Sequence, residues 1–137
     1  MRALVIDDEE LARPRILNLL EEVPSIEVVG ECSNGKTAIK QINQEKPDLI
    51  FLDINMKDMN GFEVLQKVEI HPKPVVIFVT AYDTYATRAF DVEAFDFLLK
   101  PFKDQRFFKT IDRVLKTCRT EADGLFEKRF REMLQSY

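Results

Sequence analysis

Several apolar runs of this chain stop abruptly at residues able to do chemistry. Leu4-Val5-Ile6 runs into Asp7, Asp8, Glu9 and Glu10; Leu49-Ile50-Phe51-Leu52 stops at Asp53; Val79 is followed by Thr80, and Leu98-Leu99 by Lys100. Carboxylates with no histidine or thiol among them select a hard cation such as Mg²⁺, which takes a few carboxylates and keeps several waters. Asp7, Asp8 and Asp53 sum to −3, which one Mg²⁺ and the Lys100 ammonium would balance. Without that cation the crowded acids would raise one another's pKa. A carboxylate beside a metal, an ammonium and a hydroxyl suits phosphoryl transfer, with Asp as nucleophile forming an acyl phosphate. Asp53 is the best nucleophile because it stands alone at the end of its run. Lys100 and Thr80 would meet the charged phosphoryl oxygens, and Ala81 is small enough to leave the approach open. Each residue has a duller reading alone: Asp8 as a helix cap, Lys100 as a solvated strand end. Their coincidence carries the weight.

The elements that must position them follow from periodicity. Strand-like runs fall at Ala3–Ile6, Ile26–Glu31, Leu49–Leu52, Val75–Val79 and Phe95–Leu99. All but the second are apolar nearly throughout, as strands covered on both faces should be. Helical patterns lie between them: Glu9–Glu22, with Leu11, Ile16, Leu17 and Leu20 on or near one face; Gly35–Glu45; Gly61–Glu69; a fourth after Asp83 as N-cap, carrying Ala86, Ala89 and Phe90; and a fifth carrying Phe107, Ile111, Val114, Leu115 and Cys118. Alternating strands and helices predict right-handed crossovers and a doubly wound parallel α/β sheet. Such sheets bind ligands beyond the carboxyl ends of their strands, where the order of strands reverses. Four of the five strand ends therefore converge on one rim. Glu9 and Glu10 are expected in the first helical turn, where negative charge meets the positive end of the helix dipole.

At 137 residues the chain suits one core without staples. Its net charge of −4 argues against this chain alone gripping nucleic acid. Cys32 and Cys118, far apart and in no metal-like spacing, read as two reduced thiols. No apolar run approaches the roughly 20 residues of a membrane span, and the start does not read as a signal peptide. A cytoplasmic location is expected. His71, between residues typical of a turn, is expected at the surface.

The segments VIDDEE, LIFLDINMKDMNGFEVL, VIFVTAYD and AFDFLLKPF together resemble the receiver domain of bacterial two-component response regulators, over about residues 1–118. The resemblance implies a flavodoxin-like fold with strand order 2-1-3-4-5 and five flanking helices. It makes Asp53 the phosphoacceptor. It gives Mg²⁺ to Asp8, Asp53 and the backbone carbonyl of Asn55, with Asp7 acting directly or through water. Thr80 and Lys100 would contact the phosphoryl group, Thr80 and Phe97 would be the switch pair, and the donor would be a phosphohistidine on a sensor histidine kinase. The chain would then be a phosphoacceptor regulator rather than an enzyme. The face of the fourth helix, fifth strand and fifth helix would control dimerisation or output. Two positions depart from the family pattern. Lys57 stands where proline is usual, so a looser loop is expected. Phe97 stands where tyrosine is frequent, which rules out an output hydrogen bond from that ring. Pro101 after Lys100 matches the family, where this peptide is commonly cis.

The stretch VTAYDTYATRAFDVEAFDFLLKPF is more particularly similar to receivers that precede LytTR-type DNA-binding domains, which implies transcription regulation through an output domain absent from this chain. Residues 119–137 carry Phe126, Phe130, Met133, Leu134 and Tyr137 at helical spacing, an amphipathic extension that would pack on its own domain, form a dimer contact or begin a linker. Two rival readings stand beside the switch. A hydrolase or phosphotransferase of the aspartyl-phosphate type typically needs a second acid two residues after the nucleophile, where this chain has Asn55. A stand-alone receiver or pseudo-receiver would act only as an interaction module, against which the full set of site residues argues.

Overall fold

The structure is a computed structural model that describes residues 1–117. The chain divides into two compact units, Met1–Phe102 and Lys103–Tyr137. The first unit holds β1 (Arg2–Ile6), α1 (Ala12–Leu20), β2 (Glu27–Cys32), α2 (Gly35–Glu45), β3 (Leu49–Asp53), α3 (Gly61–Gln66), β4 (Val75–Thr80), α4 (Ala86–Asp91) and β5 (Asp96–Leu99). The strands form one sheet in the order β2-β1-β3-β4-β5, and every pairing is parallel. This is the expected doubly wound topology.

Burial follows position in the sheet. Central β3 is buried along its whole length, whereas the edge strands β2 and β5 are only partly covered. Cover on both faces fits the apolar inner runs, and the exposed edge fits the mixed second run. The β1–β2 register skips Val29 between the pairs Ala3–Val28 and Leu4–Gly30. Gly30 suits the skip, because a Cβ there would come within 3.1 Å of the Leu4 side chain.

The helices are shaped by local chemistry. Asn34 caps α2 by accepting from the Thr37 N–H, and Asn60 caps α3 by accepting from the Glu63 N–H while its amide donates back to the Glu63 carboxylate. Helix α1 begins at Ala12, not Glu9, and no acid lies in its first turn. Pro14 explains the difference. It is tolerated in the first turn, but a helix from Glu9 would need the N–H that proline lacks. Leu11 consequently lies outside the helix and is 88% exposed. Helix α3 stops at Gln66 rather than Glu69, whose N–H donates to the Asn43 side chain instead. Asp83 opens a 3₁₀ turn (Asp83–Tyr85) that leads into α4, and its side chain makes no cap. On α4 it is Ala89 that is buried, while Phe90 points out at 83% exposure.

In the second unit, the described residues 104–117 are helical and belong to α5. Its expected apolar stripe is present: Phe107, Ile111 and Val114 are buried. Cys118 and the expected amphipathic extension over 119–137 lie outside the described residues. Cys32 is a buried free thiol, and burial pushes its pKa up to about 11, so it is held protonated. Among the described residues, no helix is long and apolar enough to cross a membrane. His71 is exposed, as expected of a turn residue, and both the His71–Pro72 and Lys100–Pro101 peptides are cis.

Candidate functional site

The register of the sheet assembles the rim. Ile6 pairs with Leu52 across β1 and β3, the point at which strand order reverses, so the next residues, Asp7 and Asp53, end side by side. One strand further, Asp53 pairs with Val79, which places Thr80 just beyond it. Thr80 pairs with Leu99, and Lys100 follows, its N–H donating to the Thr80 carbonyl at 2.7 Å. The apolar runs end at the carboxyl edge of the sheet, and the polar residues that close them, Asp7, Asp53 and Thr80, are themselves buried there.

Three carboxylates meet there. One oxygen each from Asp7, Asp8 and Asp53 lies within 4.8 Å of the others. Asp7 and Asp53 are buried, and Asp8 is partly exposed. Asp7 Oδ1 accepts the Glu9 N–H at 3.0 Å, and Asp53 Oδ1 accepts the Asn55 N–H at 3.2 Å. Asp7 Oδ2 lies 2.7 Å from Lys100 Nζ, an ion pair by distance whose angles fall short of a hydrogen bond. A fully buried carboxylate oxygen is thereby left with unused acceptor capacity.

The electrostatics show what the acids do to each other. Burial pushes the Asp53 carboxyl up to about 8; the Asp7 charge and a hydrogen bond with Asp7 add to the rise, against the opposing pull of Lys100 and the Asn55 N–H. For Lys100, burial favours the neutral amine. The contact with Asp7 and the charges of Asp53, Asp7 and Glu9 outweigh it and raise its pKa above the ordinary lysine value.

The donor set suits a hard divalent cation. It is all oxygen, it carries excess negative charge, and its buried Asp7 Oδ2 is ion-paired to Lys100 yet makes no hydrogen bond. Thr80 is completely buried, and its hydroxyl accepts the Tyr82 N–H at 3.3 Å. Phe97, paired with Phe78 across β4 and β5, is half-buried against a core cluster that includes Phe62, Phe78 and Ala89.

Three residues near the site were not assigned to it from sequence. Glu9, expected in a helical turn, precedes α1; its carboxylate stands 3.4 Å from Lys100 Nζ and its carbonyl accepts the Ala12 N–H. Its spacing two residues from Asp7 was the available signal. The others are Lys57 and Asp58, in the loop expected to be loose. That loop is tied down. The Lys57 N–H donates to Asp8 Oδ2 at 3.2 Å, and the Asp58 carboxylate accepts the N–H groups of Gly35 and Lys36 at 2.9 and 3.0 Å. Asn55 and Asn60 form a bridge, and the Gly61 N–H donates to the Ile54 carbonyl at 2.9 Å. One of these bonds uses a backbone N–H that a proline at position 57 would lack.

A 2-1-3-4-5 parallel sheet with acids at the reversal point defines the CheY-like receiver class of doubly wound domains. The family model for the response regulator receiver domain matches residues 3–112, and the chain belongs to that family. It is 48% identical over 116 residues to an uncharacterized response regulatory protein of Vibrio cholerae, an alignment covering 85% of this chain and 49% of that protein. It is 38% identical over 128 residues to the sensory transduction protein LytT of Bacillus cereus, covering 93% and 52%. The response regulatory domain of mrkE from Klebsiella pneumoniae superposes with a TM-score of 0.82 at 30% identity, covering 88% of this chain and 99% of that one. The chain thus spans about half the length of the curated relatives it matches.

Proposed function

We propose that the chain is a phosphorylation-activated switch in which Asp53 accepts a phosphoryl group from a phosphohistidine on a sensor histidine kinase. One observation supports this above the rest: Asp7, Asp8 and Asp53 offer oxygens within 4.8 Å of one another beside Lys100, and the Asp53 carboxyl is pushed up to about 8 in the absence of a cation. A site left so short of positive charge is poised to take some up. Asp7, Asp8, Asp53 and the Asn55 carbonyl would hold Mg²⁺, with Asp7 acting directly or through water. When bound, the ion supplies positive charge that keeps Asp53 ionised and offsets charge on the phosphoryl oxygens.

The remaining chemistry belongs to the chain. An Asp53 carboxylate oxygen attacks phosphorus, the phosphorus–nitrogen bond of the donor breaks, and the imidazole leaves with the electron pair. Lys100 offsets developing charge on the phosphoryl oxygens. The Thr80 hydroxyl, which accepts from Tyr82 in the present structure, is free to donate its own proton to one of those oxygens. Drawing Thr80 toward the site opens space that Phe97, already half-buried, can fill. The surface beside it exposes Phe90, Val92 and Leu99 on and around α4 and β5, apolar area suited to a partner that depends on the switch. We assign that partner to a second copy of the chain, and the output to transcription through a LytTR-type DNA-binding domain elsewhere in the full protein. The similarity to LytT supports the latter. The protein would act in the cytoplasm as a regulator, with no substrate turned over beyond its own phosphoryl group.

Intact mass spectrometry tests the reading. The chain is exposed to a small acyl phosphate donor with and without Mg²⁺, in wild-type form and as Asp53→Asn. One metal-dependent phosphate adduct, absent from the variant, is expected. No adduct with any donor would leave an interaction module, and turnover of many equivalents would make the protein a hydrolase. Light scattering on the same samples reads dimerisation; an unchanged mass at high concentration would remove the second copy as partner.

A further inference from the structure

The loop after β3 carries a feature that the switch chemistry does not use. Lys57 reaches the rim through its backbone: its N–H donates to Asp8 Oδ2. Of the three clustered carboxylates, Asp8 is the one least fixed by its surroundings. Asp7 and Asp53 are buried, and each accepts an N–H from the residue two positions on. Asp8 is partly exposed, and among the described residues it accepts a hydrogen bond from across the cleft, 49 positions away in sequence.

The donor is itself held from the far side. Asp58, the next residue, spreads both carboxylate oxygens over the first N–H groups of α2 and takes the Met59 N–H as well. The Gly35 bond comes first among the causes that hold the Asp58 carboxyl below the usual range. Gly35 lets the loop come this near, since a Cβ there would lie 2.2 Å from Met59 Cγ. The Lys57–Asp58 segment is therefore anchored on one side to a helix start, through Asp58, and on the other to a site carboxylate, through the Lys57 N–H.

We infer that the Lys57 backbone N–H, braced by the Asp58 carboxylate against the start of α2, is a positioning donor that pre-orients Asp8 for the cation. This rests on the reading of the three aspartates as a Mg²⁺ site. A donor that fixes a ligand carboxylate before binding lowers the cost of ordering it at the moment of binding. A prolyl residue, having no N–H, cannot fill the role whatever its side chain does.

The experiment is calorimetric titration of the 137-residue chain with Mg²⁺ alone, comparing wild type, Lys57→Pro and Lys57→Ala. Alanine keeps the N–H and removes the ammonium; proline removes the N–H. Lys57→Pro should bind Mg²⁺ about tenfold more weakly, the lower end for lost support of a metal ligand. Lys57→Ala should bind at least as tightly as wild type, because it removes a positive charge beside the site. Equal affinity in wild type and Lys57→Pro would overturn the inference, and so would an equal loss in both variants. A wild-type chain that binds no Mg²⁺ would instead overturn the metal site itself, which separates the two failures. Should Lys57→Pro not fold, amide hydrogen exchange replaces it. The Lys57 N–H should be protected in metal-free wild type and unprotected in Asp8→Ala; an unprotected N–H in wild type would likewise overturn the role.

Discussion

Lys100 Nζ lies 2.7 Å from Asp7 Oδ2, joining the residue after β5 to the residue after β1 across the rim. Asp7 has essentially no exposed side chain, whereas Lys100 retains 15%. The aspartate therefore depends on the lysine more than the reverse. Replacing Lys100 by alanine leaves a buried carboxylate without its counter-charge. A loss of about 2–3 kcal/mol is expected at pH 7 in metal-free buffer, below the range for fully buried pairs because the lysine is part-exposed. Urea denaturation measures it, and a midpoint equal to wild type would show the pair to be idle.

Asp53 gives the domain a pH dependence of definite sign. Its carboxyl is raised from 3.8 to about 8 by burial first and by Asp7 second. The folded state thus holds the Asp53 proton more tightly than the unfolded state. Its contribution is fully present below about pH 4 and is lost as pH rises toward 8. Asp53→Asn cannot ionise and escapes that loss. In buffer with a chelator, the variant should melt above wild type at pH 8, with the gap closing toward pH 4. A gap independent of pH would refute the coupling.

Divalent cation should act on the same balance. Millimolar Mg²⁺ should raise the melting temperature of wild type, because it binds the folded acids and not the unfolded chain. Asp8→Ala, which removes one of the three carboxylates, should show little or none of that rise. An equal rise in both proteins would place the ion somewhere else.

Gly61 is fixed by backbone proximity. A Cβ there would sit 2.7 Å from the Asp53 carbonyl oxygen and 3.3 Å from Ile54 Cα. Neither is a flexible side-chain end, so the loop must shift. Gly61→Ala should cost about 2 kcal/mol as overpacking and should weaken Mg²⁺ binding, because the displaced peptide follows Asp53 itself. Denaturation and titration together read both effects. A stable variant with wild-type affinity would mean the loop gives way freely.

Thr80 separates uptake from response. Thr80→Ala removes the hydroxyl proposed to meet the phosphoryl group and leaves the aspartates untouched. The variant should still take up phosphate on Asp53 but should not change its association state. Mass spectrometry reads the first and light scattering the second; a fully responsive variant would remove Thr80 from the switch.

Much of this was visible in the residues. Strands covered on both faces run apolar nearly to the carboxyl edge of the sheet, so the ends of the runs pointed to Asp7, Asp53, Thr80 and Lys100 together. The helices were legible in kind but not in extent. The start of α1 depended on Pro14, the end of α3 on the distant Asn43 side chain, and the outward turn of Phe90 on which face α4 presented. The loop after β3 was the least legible part. Its ties run through backbone N–H groups, which every residue but proline carries, so nothing in the identity of Lys57 or Asp58 named their partners. Glu9 lay between these cases: its type was plain, and its place was hidden by a helix expected three residues too early.

The Asp7–Lys100 contact also orders events in time. Its two partners sit near opposite ends of the first unit's chain path, and Asp53 comes from the middle, so closing the site requires a loop that spans most of that unit. A nascent or half-folded chain holds fragments of the rim but not the rim. Capacity to accept a phosphoryl group would thus arrive only with the last strand, making the site a reporter of its own completed fold.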